Sequence, residues 1–432
     1  MRTYQYKNLS EQDIQQLVQR PKIDFSSIFE TVQPIINRIE TDGDSALKTY
    51  TKEFDGVDID NPVFDPNKIE VELDEEIKKA IDTAFDNIFR FHRAQRTIKL
   101  DVETMPGVKC SRVTKAIQRV GLYVPGGTAV LPSSAMMLAI PAMIAGCEQV
   151  VLATPPQKDG NIASEIIYIA QKAKVDYILK AGGAQAVAAL ALGTESVPKV
   201  DKILGPGNQY VTAAKMILQN SDAQISIDMP AGPSEVLVIA DKQANPAFVA
   251  ADLLSQAEHG KDSQVVLVST PEFDSISFKS ELESQLNELP RKEIAQQALE
   301  QSFVIEVEDL EQAISFSNEY APEHLILNVE DYDNLKEEIT NAGSVFLGNL
   351  TPESAGDYAS GTNHTLPTYG YAKMYSGVNL SSYQKSITMQ TLSVEGLKNI
   401  GKTVETLAEV EELQAHKNAV SIRLKALEKA GD

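Results

Sequence analysis

The amino-acid sequence predicts an α/β fold with two doubly wound, Rossmann-like parallel-sheet domains and small additions at the N- and C-termini. From about residue 119 onward, short and almost continuously apolar strands alternate with helical stretches in two consecutive series. Strands of this kind are typical of parallel sheets that helices cover on both faces. Each series is therefore predicted to form one domain.

The chain before the first series, to about residue 105, is predicted to be mostly helical. Apolar residues over 28–39 and again over 77–91 recur at the spacing of about 3.6 residues that an amphipathic helix requires. His92 stands at the end of the second helix. We interpret it as a packed or half-exposed helix residue.

The first series places a glycine turn between a strand and a helix three times, at residues 126–127, 182–183 and 205–207. Such a turn presents backbone N–H groups and a helix N-terminus, which suits a cofactor pyrophosphate. The alternative is that these turns need glycine only for their backbone conformation. None matches the dinucleotide fingerprint G-x-G-x-x-G. The predicted strands are 120–124, 150–153, 177–179 and 202–204, and the predicted helices are 135–138, 166–170, 186–190 and 211–215.

The second series contains a helix that opens at Asn245 and Pro246, a favoured cap followed by proline at the first helical position. Beyond Tyr371 a strand over 386–390 leads into a helical tail with too little apolar surface to form its own core. The predicted strands of this series are 235–240, 264–268, 303–305 and 325–327.

Composition excludes several classes of protein. A net charge of −22 over 432 residues argues against a nucleic-acid or anionic-membrane surface, both of which need basic patches. No apolar span of membrane length and no leader-like start is expected. Cys110 and Cys147 form no CxxC pair, so neither a disulfide framework nor a thiolate metal site is expected. A cytosolic location is expected.

Metal-ligand residue types are concentrated in the C-terminal half. Gln256 and His259 share a face at the end of a helix that Gly260 is expected to cap. Asp357 lies in the polar stretch 356–367, which has no helical or strand period, and His416 lies in the tail. Two imidazoles, one carboxylate and one amide oxygen suit Zn²⁺, or Mn²⁺ and Co²⁺ with less preference.

Glu323 and His324 are neighbours at the start of a predicted strand. An adjacent carboxylate and imidazole can share proton transfers near neutral pH, although a solvated strand entry is the alternative. The octet 396–403 fits the phosphate-loop pattern G-x-x-x-x-G-K-[ST] by its letters. Because few residues follow it and its apolar spacing continues as a helix, we interpret it as a chance match. A metal-dependent hydrolase and a non-catalytic nucleotide-binding protein remain alternatives.

Eight runs together resemble the histidinol dehydrogenase family, over nearly the whole chain. They are residues 124–127, 182–186, 205–208, 228–235, 255–260, 321–325, 356–367 and 415–420. The resemblance implies the oxidation of L-histidinol through L-histidinaldehyde to L-histidine, with two NAD and one Zn²⁺ per subunit.

The resemblance also implies a role for each matching residue. The implied zinc ligands are Gln256, His259, Asp357 and His416. His324 is implied as the general base, and Glu323 as the group that activates water in the second step. Tyr123, Gln185 and Asn208 are implied as NAD contacts. The implied substrate contacts are Ser234, His364, Glu411, His324 and the four zinc ligands.

With this resemblance, we expect an N-terminal helical arm over residues 1–23 and a first α/β domain of 24–118 with 234–370, which carries the metal and base residues. A second, NAD-binding α/β domain is expected over 119–233. Residues 371–432 are expected to cross to a second copy of the chain, giving a homodimer with shared active sites.

Overall fold

A computed structural model of the chain describes residues 1–20, 25–126, 130–229 and 232–429. These residues form two compact units, one of 1–95 with 117–383 and the other of 96–116 with 384–432. Gly127 of the first glycine turn, and residues 230 and 231 of the run 228–235, lie outside the described residues.

The strands, in chain order, belong to three sheets of the described chain. They are β1 (Arg2–Gln5), β2 (Val63–Phe64), β3 (Leu100–Met105), β4 (Val108–Ala116), β5 (Arg119–Tyr123), β6 (Gln149–Thr154), β7 (Tyr177–Lys180), β8 (Lys202–Leu204), β9 (Ser226–Ile227), β10 (Glu235–Ala240), β11 (Gln264–Ser269), β12 (Phe303–Glu306), β13 (His324–Asn328), β14 (Ser344–Leu347) and β15 (Gln384–Leu392).

The helices alternate with these strands through most of the chain. They are α1 (Glu11–Val18), α2 (Phe25–Asp55), α3 (Glu75–Ala94), α4 (Pro132–Ala145), α5 (Ser164–Lys172), α6 (Gly183–Leu192), α7 (Gln209–Gln219), α8 (Pro246–Ala257), α9 (Ser275–Glu288), α10 (Lys292–Glu300), α11 (Leu310–Tyr320), α12 (Tyr332–Leu335), α13 (Glu353–Tyr358), α14 (Val394–Val410) and α15 (Gln414–Lys429).

Two six-stranded sheets form the larger unit, and the predicted α/β fold is confirmed. Sheet A has the order β1-β12-β11-β10-β13-β14, and all its neighbours are parallel. Sheet B has the order β2-β7-β6-β5-β8-β9 and is parallel except for β2. Apolar clusters lie on both faces of each sheet, as expected for strands that helices cover on two sides.

Local signals explain where several helices begin. The Asn245 side chain accepts a hydrogen bond from the backbone N–H of Ala247, and Pro246 occupies the first helical position, as predicted. Asn208 caps α7 in the same way, because its side-chain oxygen accepts from the backbone of Tyr210 and Val211.

The segment 25–94 packs on sheet B, which differs from its predicted place in the domain formed by 234–370. Strand β2 pairs antiparallel with β7 at the edge of sheet B. The apolar stripe of α2, including Ile35, Ile39 and Leu47, is buried in a cluster with strands and helices of sheet B. The N-terminal residues also differ from a purely helical arm, since β1 adds a parallel edge strand to sheet A.

The smaller unit contains an antiparallel sheet of order β15-β4-β3 together with α14 and α15. The predicted strand over 386–390 is confirmed within β15, whereas β3 and β4 are a hairpin that the sequence patterns did not predict. Gly107 turns this hairpin with a φ of 77°, a left-handed conformation that favours glycine.

The octet 396–403 lies wholly inside α14 and forms no phosphate loop. Close packing explains why the octet contains glycine. A Cβ at Gly396 would lie only 2.1 Å from the carbonyl oxygen of Gly107. A Cβ at Gly401 would lie 2.8 Å from a methyl group of Leu424. This supports the interpretation of the octet as a chance match. Across the described ranges, no helix has both the length and the apolar character needed to cross a membrane.

Candidate active site

Glu323 and His324 lie at the amino end of β13, beside β10 in sheet A. Both side chains are buried. The carboxylate of Glu323 accepts a hydrogen bond of 2.9 Å from the backbone N–H of Glu235. His324 Nδ1 lies 3.1 Å from the backbone carbonyl oxygen of Glu235. Because a carbonyl only accepts, the proton of neutral His324 sits on Nδ1, which leaves Nε2 as the basic atom.

Helix α13 brings two further carboxylates to this histidine. Glu353 and Asp357 are one turn apart and share a face of the helix. The Glu353 carboxylate lies 3.7 Å from Nδ1 of His324, and the Asp357 carboxylate lies 3.4 Å from Nε2. Each of the three residues offers one ligand atom, and these atoms all lie within 4.8 Å of one another, so together they could hold a cation.

Sequence reasoning missed Glu353 and misjudged the start of the polar stretch. Residues 356–358 are the end of α13 and not part of an irregular loop. The signal was the spacing of four residues between Glu353 and Asp357, directly after Pro352. It was hidden because the helix is short and carries no apolar stripe.

Gln256 and His259 lie at the end of α8, although the helix ends differently from the prediction. Its last residue is Ala257 and its C-cap is Glu258, so the prediction that Gly260 caps it was wrong. The Gln256 amide is buried, and in the orientation that satisfies its neighbours its nitrogen donates to Glu353 at 2.6 Å. His259 is exposed just beyond the helix. The carbonyl end of α8 favours a cation here.

The crowded acids shift one another's protonation. Burial raises the pKa of Glu323 to about 8, although His324 and the N–H of Glu235 oppose the rise. Burial likewise raises the pKa of Glu353, and the neighbouring carboxylates add to the rise. Burial lowers the pKa of His324, but the surrounding carboxylates outweigh it and hold the pKa well above its ordinary value. Glu353 Oε2 and His324 Nε2 have no hydrogen-bond partner among the described residues. Excess negative charge and unpartnered ligand atoms fit a bound divalent cation.

Ser234 and His364 adjoin this cluster. Together with Glu323 they line a small cavity of about 70 Å³. His364 Nδ1 lies 2.8 Å from the carbonyl oxygen of Asp357, and its Nε2 lies 3.2 Å from the hydroxyl of Ser134. Burial lowers the pKa of His364, so its ring is neutral near neutral pH.

A larger cavity of about 870 Å³ lies at the carboxyl ends of the sheet B strands. Tyr123, Gln185 and Asn208, the three predicted cofactor contacts, all line it. The Tyr123 hydroxyl accepts from the backbone N–H of Gly183 at 2.9 Å. Both amide atoms of the buried Gln185 lack a partner among the described residues. The carboxyl ends of parallel strands are the usual place for a nucleotide.

Two predicted site residues belong to the smaller unit. Glu411 follows α14 as its C-cap, and His416 lies in the first turn of α15. Both side chains are exposed.

His92 is fully buried, which agrees with its interpretation as a packed residue. Its Nδ1 lies 2.9 Å from the carbonyl oxygen of Ile88, and its Nε2 lies 3.3 Å from the amide nitrogen of Asn363. His92 therefore contacts the side chain of the residue that directly precedes His364.

Comparisons with known proteins point to a single family. Residues 18–424 match a family model described as histidinol dehydrogenase. The chain is 60% identical to the chloroplastic histidinol dehydrogenase of Arabidopsis thaliana, over 99% of this chain and 92% of that one. It is 53% identical to the histidinol dehydrogenase of Bacteroides thetaiotaomicron, over 97% and 98% of the two chains. A crystal structure of histidinol dehydrogenase from Elizabethkingia anophelis superposes with a TM-score of 0.93 at 50% identity, covering 99% of each chain.

Proposed function

The chain belongs to the histidinol dehydrogenase family and is an NAD-dependent dehydrogenase of histidine biosynthesis, and we propose that it catalyses the complete four-electron oxidation of L-histidinol to L-histidine. The reaction would pass through L-histidinaldehyde and use two NAD and one Zn²⁺ per subunit. The buried Glu323 and His324 pair, facing the carboxylates of α13, is the observation that carries this proposal.

His324 would serve as the general base. An alcohol gives up hydride only as its hydroxyl proton leaves, which requires a base within hydrogen-bond reach. Nε2 of His324 has no hydrogen-bond partner in the part of the chain that the structure describes, and the carbonyl of Glu235 holds the proton of the neutral ring on Nδ1. In both oxidation steps the proton would move from the substrate hydroxyl to Nε2.

Glu323 would act in the second step. An aldehyde donates hydride only after water has added to give a diol, so a second group must take a proton from water. Glu323 lies beside His324 on the same cavity wall as Ser234 and His364. We propose that Ser234 and His364 hold the substrate there.

Gln256, His259 and Asp357, with His416 of a second copy, would hold the zinc ion. The amide oxygen, imidazole and carboxylate of the first three suit Zn²⁺, and the carbonyl end of α8 adds partial negative charge. Bound zinc would supply positive charge and a fixed orientation for the substrate. Glu353 would support the site through its contact with the Gln256 amide.

The larger cavity would take NAD, whose nicotinamide accepts the hydride. Its volume of about 870 Å³ lies in the usual range for a cofactor site. Tyr123, Gln185 and Asn208 line the cavity and would contact the cofactor. This cavity favours a dehydrogenase over a metal-dependent hydrolase, which needs no nucleotide.

We further propose a homodimer in which the smaller unit completes the partner's site. Exposed apolar side chains on this unit, including Leu407, Val410 and Ile422, give it a surface that a second copy could cover. Glu411 and His416 are exposed on the same unit and would reach the partner's substrate, Glu411 by pairing with its ammonium group.

Product analysis tests the proposed reaction. Purified protein with histidinol and NAD should give histidine and two equivalents of NADH, and chelation followed by Zn²⁺ should abolish and restore the yield. Accumulation of free histidinaldehyde with one equivalent of NADH would contradict the four-electron reaction. Hydrolysis of an ester or amide substrate without NADH formation would support the hydrolase instead.

A further inference from the structure

The buried ion pair between Arg20 and Glu235 lies directly behind the two proposed bases. Nε of Arg20 donates a hydrogen bond to one oxygen of the Glu235 carboxylate, and Nη2 donates to the other, each at 2.8 Å. The two side chains are 5% and 1% exposed, so the pair is held away from water. A bidentate contact of this kind fixes the orientation of the two side chains as well as the distance between them.

The remaining donors of the guanidinium fix Arg20 itself. Its Nη1 donates to the carbonyl oxygens of Val18 and Tyr320, at 2.7 and 2.8 Å. The Arg20 guanidinium carbon lies 3.6 Å from the centroid of the Tyr320 ring. The backbone N–H of Tyr369 also donates to Glu235, at 3.1 Å. Glu235 is therefore held directly by Arg20 and by the backbone of Tyr369, and Tyr320 in turn holds Arg20.

The backbone of Glu235 contacts both proposed bases. Its N–H donates to the carboxylate of Glu323, and its carbonyl oxygen accepts from Nδ1 of His324. A rotation of this one residue would loosen both contacts at once. Side chains that must hold a reacting geometry depend on such supports.

We propose that Arg20 and Glu235 are positioning residues for catalysis, which set the tautomer of His324 and the place of the Glu323 carboxylate through the Glu235 backbone. The kinetic part of this inference rests on the proposed function, whereas the tautomer does not. The competing interpretation is a purely structural role, in which the ion pair only joins the N-terminal segment to sheet A.

The variants separate the two interpretations. Arg20→Met removes the guanidinium, and Glu235→Gln removes the charge while keeping the peptide contacts. Arg20→Lys keeps the charge but not the bidentate contact, so its kcat should lie between those of the wild type and Arg20→Met. The control is Arg119→Met, which breaks an arginine–aspartate pair with Asp201 that also uses Nε and Nη2 and lies on sheet B, outside the site.

For each folded variant, turnover in both half-reactions, the KM for NAD and the unfolding midpoint are measured. We expect Arg20→Met and Glu235→Gln to lower kcat of both steps about 10- to 100-fold, with little change in the KM for NAD. Since the pair acts as a unit, the double variant should lose no more than the worse single variant. Arg119→Met should keep wild-type turnover.

Nitrogen NMR of protein labelled in histidine provides the second measurement, with the His324 signals assigned by their loss in His324→Asn. Because the surrounding carboxylates raise the pKa of His324, the spectra are recorded over a pH series that extends to the neutral ring. The neutral ring of the wild type should carry its proton on Nδ1, and Arg20→Met should shift that proton toward Nε2. If the variants keep the tautomer of His324 and wild-type turnover per folded molecule, the positioning role is excluded and only the structural role remains, even where the unfolding midpoint is lower. If the wild type oxidises no histidinol, the proposed function fails while the NMR result still decides the positioning role.

Discussion

His364 folds back on Asp357: the ring Nδ1 lies 2.8 Å from the carbonyl oxygen of a residue seven positions earlier. The contact closes the polar stretch after α13 into a compact turn. It therefore ties a proposed substrate contact to a proposed metal ligand, and movement of either would disturb both.

Glu323→Gln is expected to separate the two oxidation steps. The change keeps the shape of the side chain but removes its basicity, so histidinaldehyde oxidation should fall by about 10²- to 10⁴-fold, much more than histidinol oxidation. His324→Ala should depress both steps. Single-turnover rates with each substrate measure this. Glu330→Gln, which breaks an exposed pair with Lys242, is the control and should change neither rate. Equal losses in both steps for Glu323→Gln would contradict its role in activating water.

The same residue predicts a pH dependence. Because burial raises the pKa of Glu323 to about 8, most of it is protonated at neutral pH in the metal-free protein. A base must be ionised, and a bound cation favours the carboxylate, so aldehyde oxidation by the zinc-loaded protein should increase with pH along a limb that lies below about 8. The pH–rate profile of the zinc-loaded protein checks this position. A limb above about 8 would be inconsistent with a cation beside Glu323.

Divalent metal is expected to stabilise the fold. Zn²⁺ that binds only the folded chain at 100 times its Kd should add about 2.7 kcal/mol to the free energy of unfolding. Asp357→Asn removes a charge from the cluster and should abolish most of the shift in the unfolding midpoint. Asp333→Asn, at an exposed aspartate paired with Lys336, should keep it. Calorimetry with and without chelator measures the shift, and equal shifts in both variants would place the metal elsewhere.

No cysteine is expected to take part in aldehyde oxidation. A thiohemiacetal route needs a thiolate, but burial raises the pKa of Cys147 to about 12. Cys110 lies on β4 of the smaller unit, outside every proposed site segment. The double variant Cys110→Ala with Cys147→Ala should therefore keep both steps, measured as histidine formed per NADH. Loss of only the aldehyde step in a folded protein would show that a thiol is needed.

Complementation tests whether His416 acts on a second copy of the chain. His259→Ala and His416→Ala should each be inactive alone. If His416 acts across the dimer, a mixed dimer has one site with both lesions and one intact site, so activity should return on subunit exchange. Mass spectrometry of intact dimers verifies the exchange. A mixture that stays inactive despite verified exchange would mean that His416 acts within its own chain.

The central strands of both sheets could be predicted from sequence because each is a continuous apolar run. Short edge strands could not, since β2 has only two residues and owes its place to β7. The hairpin of β3 and β4 carries mixed polar residues and is completed by β15, a partner distant in sequence. Gln256, His324 and Asp357 could be named as candidates from residue type, whereas Glu353 required knowledge of a short helix. Arg20 carried no local signal, because its partner Glu235 is reached only through the folded chain.

The pairing of β15 with β4 has a consequence for biosynthesis. Gln384 opposes Ala116, so a strand made late in translation must find a hairpin made early. Until then the hairpin lacks its third strand on the β4 side, where Val108 is buried once the sheet is complete. Pairing across so long an intervening chain is slow relative to local folding. A ribosome that stalls after the larger unit has emerged would therefore expose an adhesive strand edge, and chaperones or aggregation would compete for it before the chain is released.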